Sequence, residues 1–126
     1  MRMEEKQYYT TVQQEAALLE MGIKPETADM YRIPKVGGYM ITTEKATNAK
    51  PCWTLARLLD ILPRQITDKE DCLVYDRQIT GDAVDYCCVD YDLWADGFSN
   101  GTLFENVIAC ISDFIKKGYI DKGFLK

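Results

Sequence analysis

The residues best suited to chemistry in this chain are three closely spaced aspartates, Asp90, Asp92 and Asp96. Counted from Asp92, the carboxylate at the fifth position and the glycine after it resemble part of a calcium-binding loop. However, Trp94 stands at the third position, and Leu103 stands at the twelfth, where such a loop needs a bidentate glutamate. We therefore favour a solvated loop between a strand and a helix, and keep the three aspartates as candidate metal ligands.

Asp90 and Asp92 also form an Asp-x-Asp pattern, which in some sugar-transferring enzymes holds a metal and a nucleotide phosphate. Those enzymes need a nucleotide-binding α/β scaffold considerably larger than 126 residues. Two carboxylates two residues apart on an extended segment also share one face, where both can simply be hydrated. We favour hydration over a nucleotide site.

Histidine is absent from the sequence, which removes the commonest general base, metal ligand and pH switch. A Ser-His-Asp or Cys-His catalytic site therefore cannot be built from this chain alone. The number of cysteines is odd and no Cys-x-x-Cys pair occurs, so we expect reduced, buried thiols and no metal or other cofactor. The cysteines are Cys52, Cys72, Cys87, Cys88 and Cys110.

The composition is that of an ordinary globular protein, with 47% apolar residues and a formal net charge of −5. This charge argues against direct binding to nucleic acid or to an anionic membrane, because both are negative themselves. The apolar runs are too short for a transmembrane helix. Arg2, Glu4, Glu5 and Lys6 stand where a secretion signal would be apolar, so we expect a cytoplasmic protein.

Three segments carry the start and stop signals of α-helices. Each begins at a threonine whose hydroxyl can cap the first turn, and each ends at a glycine or a proline. Two of these threonines are followed three residues later by Gln14 or Glu105, which completes a capping box. The start and stop residues are Thr11 and Gly22, Thr54 and Pro63, and Thr102 and Gly118.

The apolar stripes of these helices predict which side chains are buried. In the first helix, Val12, Ala16 and Leu19 share one face. The other two helices have longer stripes, and we expect those stripes to meet at the centre of one core. The residues concerned are Leu55, Leu58, Leu59 and Leu62 of the second helix and Phe104, Ile108, Ile111 and Ile115 of the third.

The remaining apolar segments predict strands. Residues 31–43 indicate an irregular strand region with a turn at Gly37 and Gly38. Residues 72–77 and 83–91 indicate two strands joined as a hairpin through residues 80–82, and residues 90–101 indicate a polar loop. The prediction is an α+β fold, with three helices packed on a small, mainly antiparallel sheet that contains a hairpin. We expect residues 1–10 to be a loose lead-in and residues 11–126 to form a single domain.

Five aromatic residues outside the predicted helices are candidates for a protein-binding surface. Tyrosine and tryptophan are favoured at the centres of interfaces, because one ring buries a large area at a small cost in entropy. The alternative is that these rings pack against the domain's own surface. The candidates are Tyr8, Tyr9, Tyr31, Tyr39 and Trp94.

Three stretches of the sequence carry a family resemblance. They are LLEMGIKPETADMY from Leu18, PCWTLARLLDILP from Pro51, and residues 106–119. They resemble a group of small uncharacterised proteins of anaerobic gut bacteria and their prophages or mobile elements. The resemblance implies a bacterial, cytoplasmic and phage-derived or mobile-element setting, and it implies no activity and no catalytic residues.

Two classes of function follow from these observations. The first is a non-enzymatic protein-interaction module, such as an accessory or inhibitor protein of a mobile element, and we expect a protein partner. The second is a small enzyme or ligand-binding domain that uses the Asp90–Asp96 loop with a divalent cation. The sequence leaves open whether the chain also forms a homo-oligomer.

Overall fold

The computed structural model describes residues 6–126, and residues 1–5 of the predicted lead-in lie outside this range. The described residues form a single α+β domain with three α-helices and two antiparallel sheets, so the predicted fold class is confirmed. The strands divide between two sheets where we expected one. Within residues 6–126, no helix is long and apolar enough to cross a membrane.

The first sheet has three strands in the order β2-β1-β3. Strand β1 (Met30–Lys35) pairs with β2 (Gly38–Thr42) in a regular hairpin, in the region where we predicted an irregular strand. The turn uses Gly37 at a positive φ of 83°, a conformation that glycine adopts without strain. Strand β3 (Lys50–Cys52) reaches only as far as Arg32, so β1 has a free edge at Pro34, where proline is tolerated.

The second sheet has four strands in the order β4-β5-β6-β7. They are β4 (Gln65–Thr67), β5 (Val74–Thr80), β6 (Ala83–Cys88) and β7 (Leu93–Phe98). The predicted hairpin through residues 80–82 is confirmed, and its Gly81 has a positive φ of 59°.

The predicted polar loop at residues 90–101 is wrong, because half of it is β7. A left-handed residue, Asp92 with φ of 52°, ends the short turn after β6 and sends the chain back along that strand. Tyr86 pairs with Asp96 and Cys87 pairs with Trp94, which leaves Ala95 as an extra residue in a β-bulge. The bulge changes which side chains of β7 face the core.

The three helices begin where their threonines predict. Helix α1 (Val12–Glu20) and helix α3 (Leu103–Lys117) both have complete capping boxes, and the Thr54 hydroxyl accepts a hydrogen bond at the start of α2 (Leu55–Ile61). The predicted buried face of α1 is confirmed for Leu19, which packs against the core while partly buried, but it is wrong for the other two residues. Val12 and Ala16 are exposed, whereas Glu15 and Leu18 are buried. The buried face includes Glu15 because its carboxylate binds the guanidinium of Arg32 inside the domain.

Helix α3 packs on β6 and on α2 to form the centre of the core. The rings of Tyr86 and Phe114 are 4.7 Å apart across this interface. The predicted stripes of both helices lie in the core as expected. Leu58, Leu62, Phe104, Ile108 and Ile111 are buried, and Leu55, Leu59 and Ile115 pack against them while partly exposed.

The predicted loose lead-in is wrong for Tyr9 and Thr10. Tyr9 forms an isolated β-bridge with Thr54, and Thr10 is fully buried. The amide of Thr10 donates to the Trp53 carbonyl at 2.9 Å, and the Thr10 hydroxyl accepts from the Trp53 amide at 3.1 Å. The last residues of this segment are therefore part of the domain, because their backbone hydrogen bonds are satisfied inside it.

Candidate functional site

The three candidate metal-binding aspartates do not converge. Asp96 pairs with Tyr86 across the sheet and so lies on the face covered by α3, where its carboxylate accepts from Lys117 Nζ at 2.7 Å. Asp90 and Asp92 are exposed in the turn that precedes β7. Within residues 6–126, no group of three or more His, Cys, Asp or Glu side chains is placed to hold a metal ion.

The five cysteines all lie in the described part of the chain and are free thiols. Cys52, Cys87, Cys88 and Cys110 are buried, as predicted, while Cys72 is exposed, so the prediction of burial is wrong for that residue. Burial raises the pKa of Cys52 to about 11 and also raises the pKa of Cys110. These two thiols are therefore held in the neutral, unreactive form at ordinary pH.

Three of the five candidate aromatic residues converge on one cleft, and two of them lie against Arg32. The guanidinium carbon of Arg32 lies 4.1 Å from the ring centre of Tyr39 and 5.7 Å from that of Tyr9. Tyr8 lines the same cleft and is 70% exposed, while Tyr39 is 55% exposed. The cleft has a volume of about 400 Å³. We call it the Arg32 cleft, and it is lined by residues 6–13 together with Arg32 and Tyr39.

The other two candidate aromatic residues lie elsewhere. Tyr31 precedes Arg32 on β1, and consecutive residues of a strand point to opposite faces of the sheet. Trp94 is 59% exposed on β7 of the second sheet, where it pairs with Cys87. The predicted protein-binding set is therefore divided, and only Tyr8, Tyr9 and Tyr39 form one surface.

Arg32 is almost completely buried, with 6% of its surface exposed. Its Nε donates to Glu15 Oε1 at 3.1 Å, and its Nη2 donates to Glu15 Oε2 and to the Thr10 carbonyl, each at 2.8 Å. The hydrogen bonds to Glu15 hold the pKa of Arg32 above its ordinary value, so the guanidinium is always charged. The remaining nitrogen, Nη1, has no hydrogen-bond partner among residues 6–126.

The cleft also contains the beginning of α1. The capping box satisfies the amides of Thr11 and Gln14. The amides of Val12 and Gln13 have no partner among the described residues, as expected for the first turn of a helix. The cleft thus combines unsatisfied hydrogen-bond donors with aromatic faces, a combination suited to recognition of a ligand.

Arg32 and Glu15 were not among the site residues predicted from the sequence, although both carry a local signal. Arg32 stands between Tyr31 and Ile33 on β1 and points to the opposite face of the sheet from both, so that face had to accommodate a charge. Glu15 lies one helical turn before Leu18, which is fully buried. A charged residue at a core position of each element predicts a buried ion pair, because an unpaired buried charge is strongly unfavourable.

Comparison with protein-family models, with curated proteins and with solved structures finds no match for this chain. Function is therefore inferred from the geometry of the Arg32 cleft.

Proposed function

We propose that this protein is a non-enzymatic interaction module that binds a protein partner through the Arg32 cleft. The observation that carries the proposal is the position of two exposed tyrosines, Tyr8 and Tyr39, beside a buried arginine in one cleft. Tyrosine and arginine are the residue types that dominate binding energy at interfaces. The two exposed tyrosine rings offer a large contact area with few rotatable bonds.

Two further observations favour a binding module over the alternative of a metal-dependent enzyme. The chain has no histidine, and the buried thiols of Cys52 and Cys110 are held neutral by their raised pKa values. Asp96, which a metal-dependent enzyme would need as a metal ligand, instead forms a salt bridge with Lys117. An accessory or inhibitor role in a bacterial mobile element, and a cytoplasmic location, stay predictions from the sequence.

The proposal is tested by photo-crosslinking in the cells that naturally produce the protein. A benzophenone amino acid is placed at Tyr39 in one variant and at Tyr8 in a second. The control carries it at Tyr91, which is 65% exposed in the turn before β7 and lies outside the Arg32 cleft. We expect the first two variants to give one covalent adduct to the same second protein, and the control to give none.

Two outcomes would contradict the proposal. The first is the absence of any adduct from Tyr8 and Tyr39 when the variants are folded and present at normal levels. The second is an adduct to the same protein from Tyr91 alone, which would move the binding surface to the second sheet. An adduct with the mass of two copies of this chain would replace the proposed partner by a homo-oligomer.

A further inference from the structure

The Arg32 cleft contains two separate sets of unsatisfied donors, and both favour an anion. We infer that the cleft receives a carboxylate side chain from an acidic segment of the partner protein, held between Arg32 and the first turn of α1. The inference rests on the proposed function, because it names the chemistry of the partner that the cleft would recognise.

The first set of donors is on Arg32. Nη1 is shielded from solvent and has no hydrogen-bond partner among residues 6–126, while the other donors of the guanidinium bind Glu15 and Thr10. A buried charged donor without a partner is costly, and native structures rarely keep one without a reason. The Tyr39 ring lies over the guanidinium, where it stabilises the positive charge and its hydroxyl helps to raise the pKa of Arg32, but it makes no hydrogen bond to Nη1. An oxygen of the ligand would supply that acceptor.

The second set is the N-terminus of α1, a helix of nine residues. The unpaired amides of Val12 and Gln13 project from the positive end of the helix dipole, which favours negative charge. Both residues line the same cleft as Arg32. A carboxylate has two oxygens and about four acceptor positions, so one such group can accept from the helix and from the guanidinium together.

Glu15 and Tyr39 both affect how a carboxylate could bind in the cleft. The carboxylate of Glu15 neutralises Arg32 in formal charge, so the cleft selects its ligand by unsatisfied donors more than by net charge. The Tyr39 ring lies against the guanidinium and is 55% exposed. Because Nη1 is shielded in the structure, the proposed binding includes an outward movement of this ring that admits the ligand oxygen.

The charge around the cleft is complementary to an acidic segment, although the whole chain is negative. Residues 30–52, which make up the first sheet, contain four basic residues and one acidic residue. Residues 65–101, which make up the second sheet, contain two basic and nine acidic residues. Lys6 lines the Arg32 cleft, and Lys50 lines a smaller groove of about 160 Å³ that shares Arg32 and Tyr39 with it. An acidic partner is therefore attracted to the first sheet and repelled by the second.

The test is a titration of the full chain, labelled with ¹⁵N, followed by NMR. The probe is an N-acetylated and C-amidated hexaglutamate peptide, and the matched control is the corresponding hexaglutamine peptide. We expect hexaglutamate to shift the amide signals of Val12 and Gln13 and the Nε–H signal of Arg32. Hexaglutamine should shift these signals much less, because each of its side chains offers one acceptor oxygen where a carboxylate offers two, and none carries the negative charge that the helix N-terminus favours.

Charge-reversal variants give an independent measure that keeps Arg32 and Glu15 in the chain and changes Lys50, which pairs with Arg32 across the first sheet. We expect Lys50→Glu to weaken hexaglutamate binding by about fivefold or more at low salt, where exposed charges are least screened. Lys69→Glu makes the same change in charge on an exposed residue of the second sheet region and should leave the affinity unchanged.

Three results would overturn the inference. One is an equal response to hexaglutamine. Another is a set of shifts confined to surface lysines, with Val12, Gln13 and Arg32 unaffected. The third is equal weakening by Lys50→Glu and Lys69→Glu. If any of these occurs while crosslinks from Tyr39 still identify a partner, the proposed function stands and only the carboxylate ligand is rejected.

Discussion

Arg32 and Glu15 are joined by two hydrogen bonds, from Nε to Oε1 at 3.1 Å and from Nη2 to Oε2 at 2.8 Å. Both side chains are 7% exposed, so this bidentate ion pair is buried. It ties α1 to the central strand of the first sheet, and Nη2 also ties the strand to the backbone of Thr10. The same pair thus fixes the three elements that surround the Arg32 cleft.

Removal of one member of this pair should lower the free energy of unfolding far more than removal of both. We expect Glu15→Ala to lower the free energy of unfolding by about 3–5 kcal/mol, because it leaves the guanidinium buried without its counter-ion. The double variant Glu15→Leu with Arg32→Met should be more stable than Glu15→Ala, since no charge then remains buried. Urea unfolding measures each value, with Glu20→Ala, on the exposed face of α1, as the control. A double variant less stable than the single one would refute this account.

The centre of the core should be sensitive to loss of volume at Ile111. This side chain is fully buried on α3, so we expect Ile111→Ala to cost about 2–5 kcal/mol in unfolding free energy. Ile115→Ala removes the same atoms from a partly exposed position of the same helix and should cost less. The comparison uses denaturant unfolding of both variants. A loss below about 0.5 kcal/mol for Ile111→Ala would show that the site is not part of the core.

Stability at alkaline pH should depend on Cys52. Burial raises the pKa of this thiol to about 11, so its favourable contribution to folding is complete below its unfolded pKa and is lost as the pH rises toward 11. Between about pH 8 and about pH 10.5, the wild type should lose about 2 kcal/mol more stability than Cys52→Ala. The control is Cys72→Ala, whose exposed thiol should leave the wild-type loss unchanged. Parallel pH profiles for the wild type and Cys52→Ala would contradict the prediction.

Divalent cations should leave the stability of the protein unchanged. Asp96 is engaged by Lys117, and Asp90 and Asp92 are exposed without a third ligand nearby among the described residues. A cation that binds the native state would raise the melting temperature by mass action. Thermal unfolding with calcium, magnesium and manganese at millimolar concentration provides the measurement. A rise that disappears in Asp92→Asn would restore the Asp90–Asp96 loop as a metal site.

Local signals in the sequence were sufficient to predict the three helices and one hairpin. The capping threonines predict helix starts because each cap bond joins residues only three positions apart, as between Thr11 and Gln14. The turn at Gly81 is equally local. The long stripe of α3 specifies its buried face, because it is continuous over the whole helix. The α+β class follows from these elements.

The site was decided by contacts between distant parts of the chain. Strand β7 forms because β6 offers it a pairing edge, which its own short sequence, interrupted by Asp96 and Gly97, does not reveal. Burial of Glu15 is favourable only because Arg32, seventeen residues later, is buried with it.

Contacts between distant parts of the chain also divide the candidate aromatic residues between two surfaces. Tyr9 and Tyr39 meet because both contact Arg32, whereas Trp94 follows β7 onto the other sheet. The sequence by itself determined the helices, their caps and the charge of each segment, since these depend on neighbouring residues. The tertiary structure decided which side chains meet, because a buried charge or a new strand is stable only when its partner arrives from elsewhere in the chain.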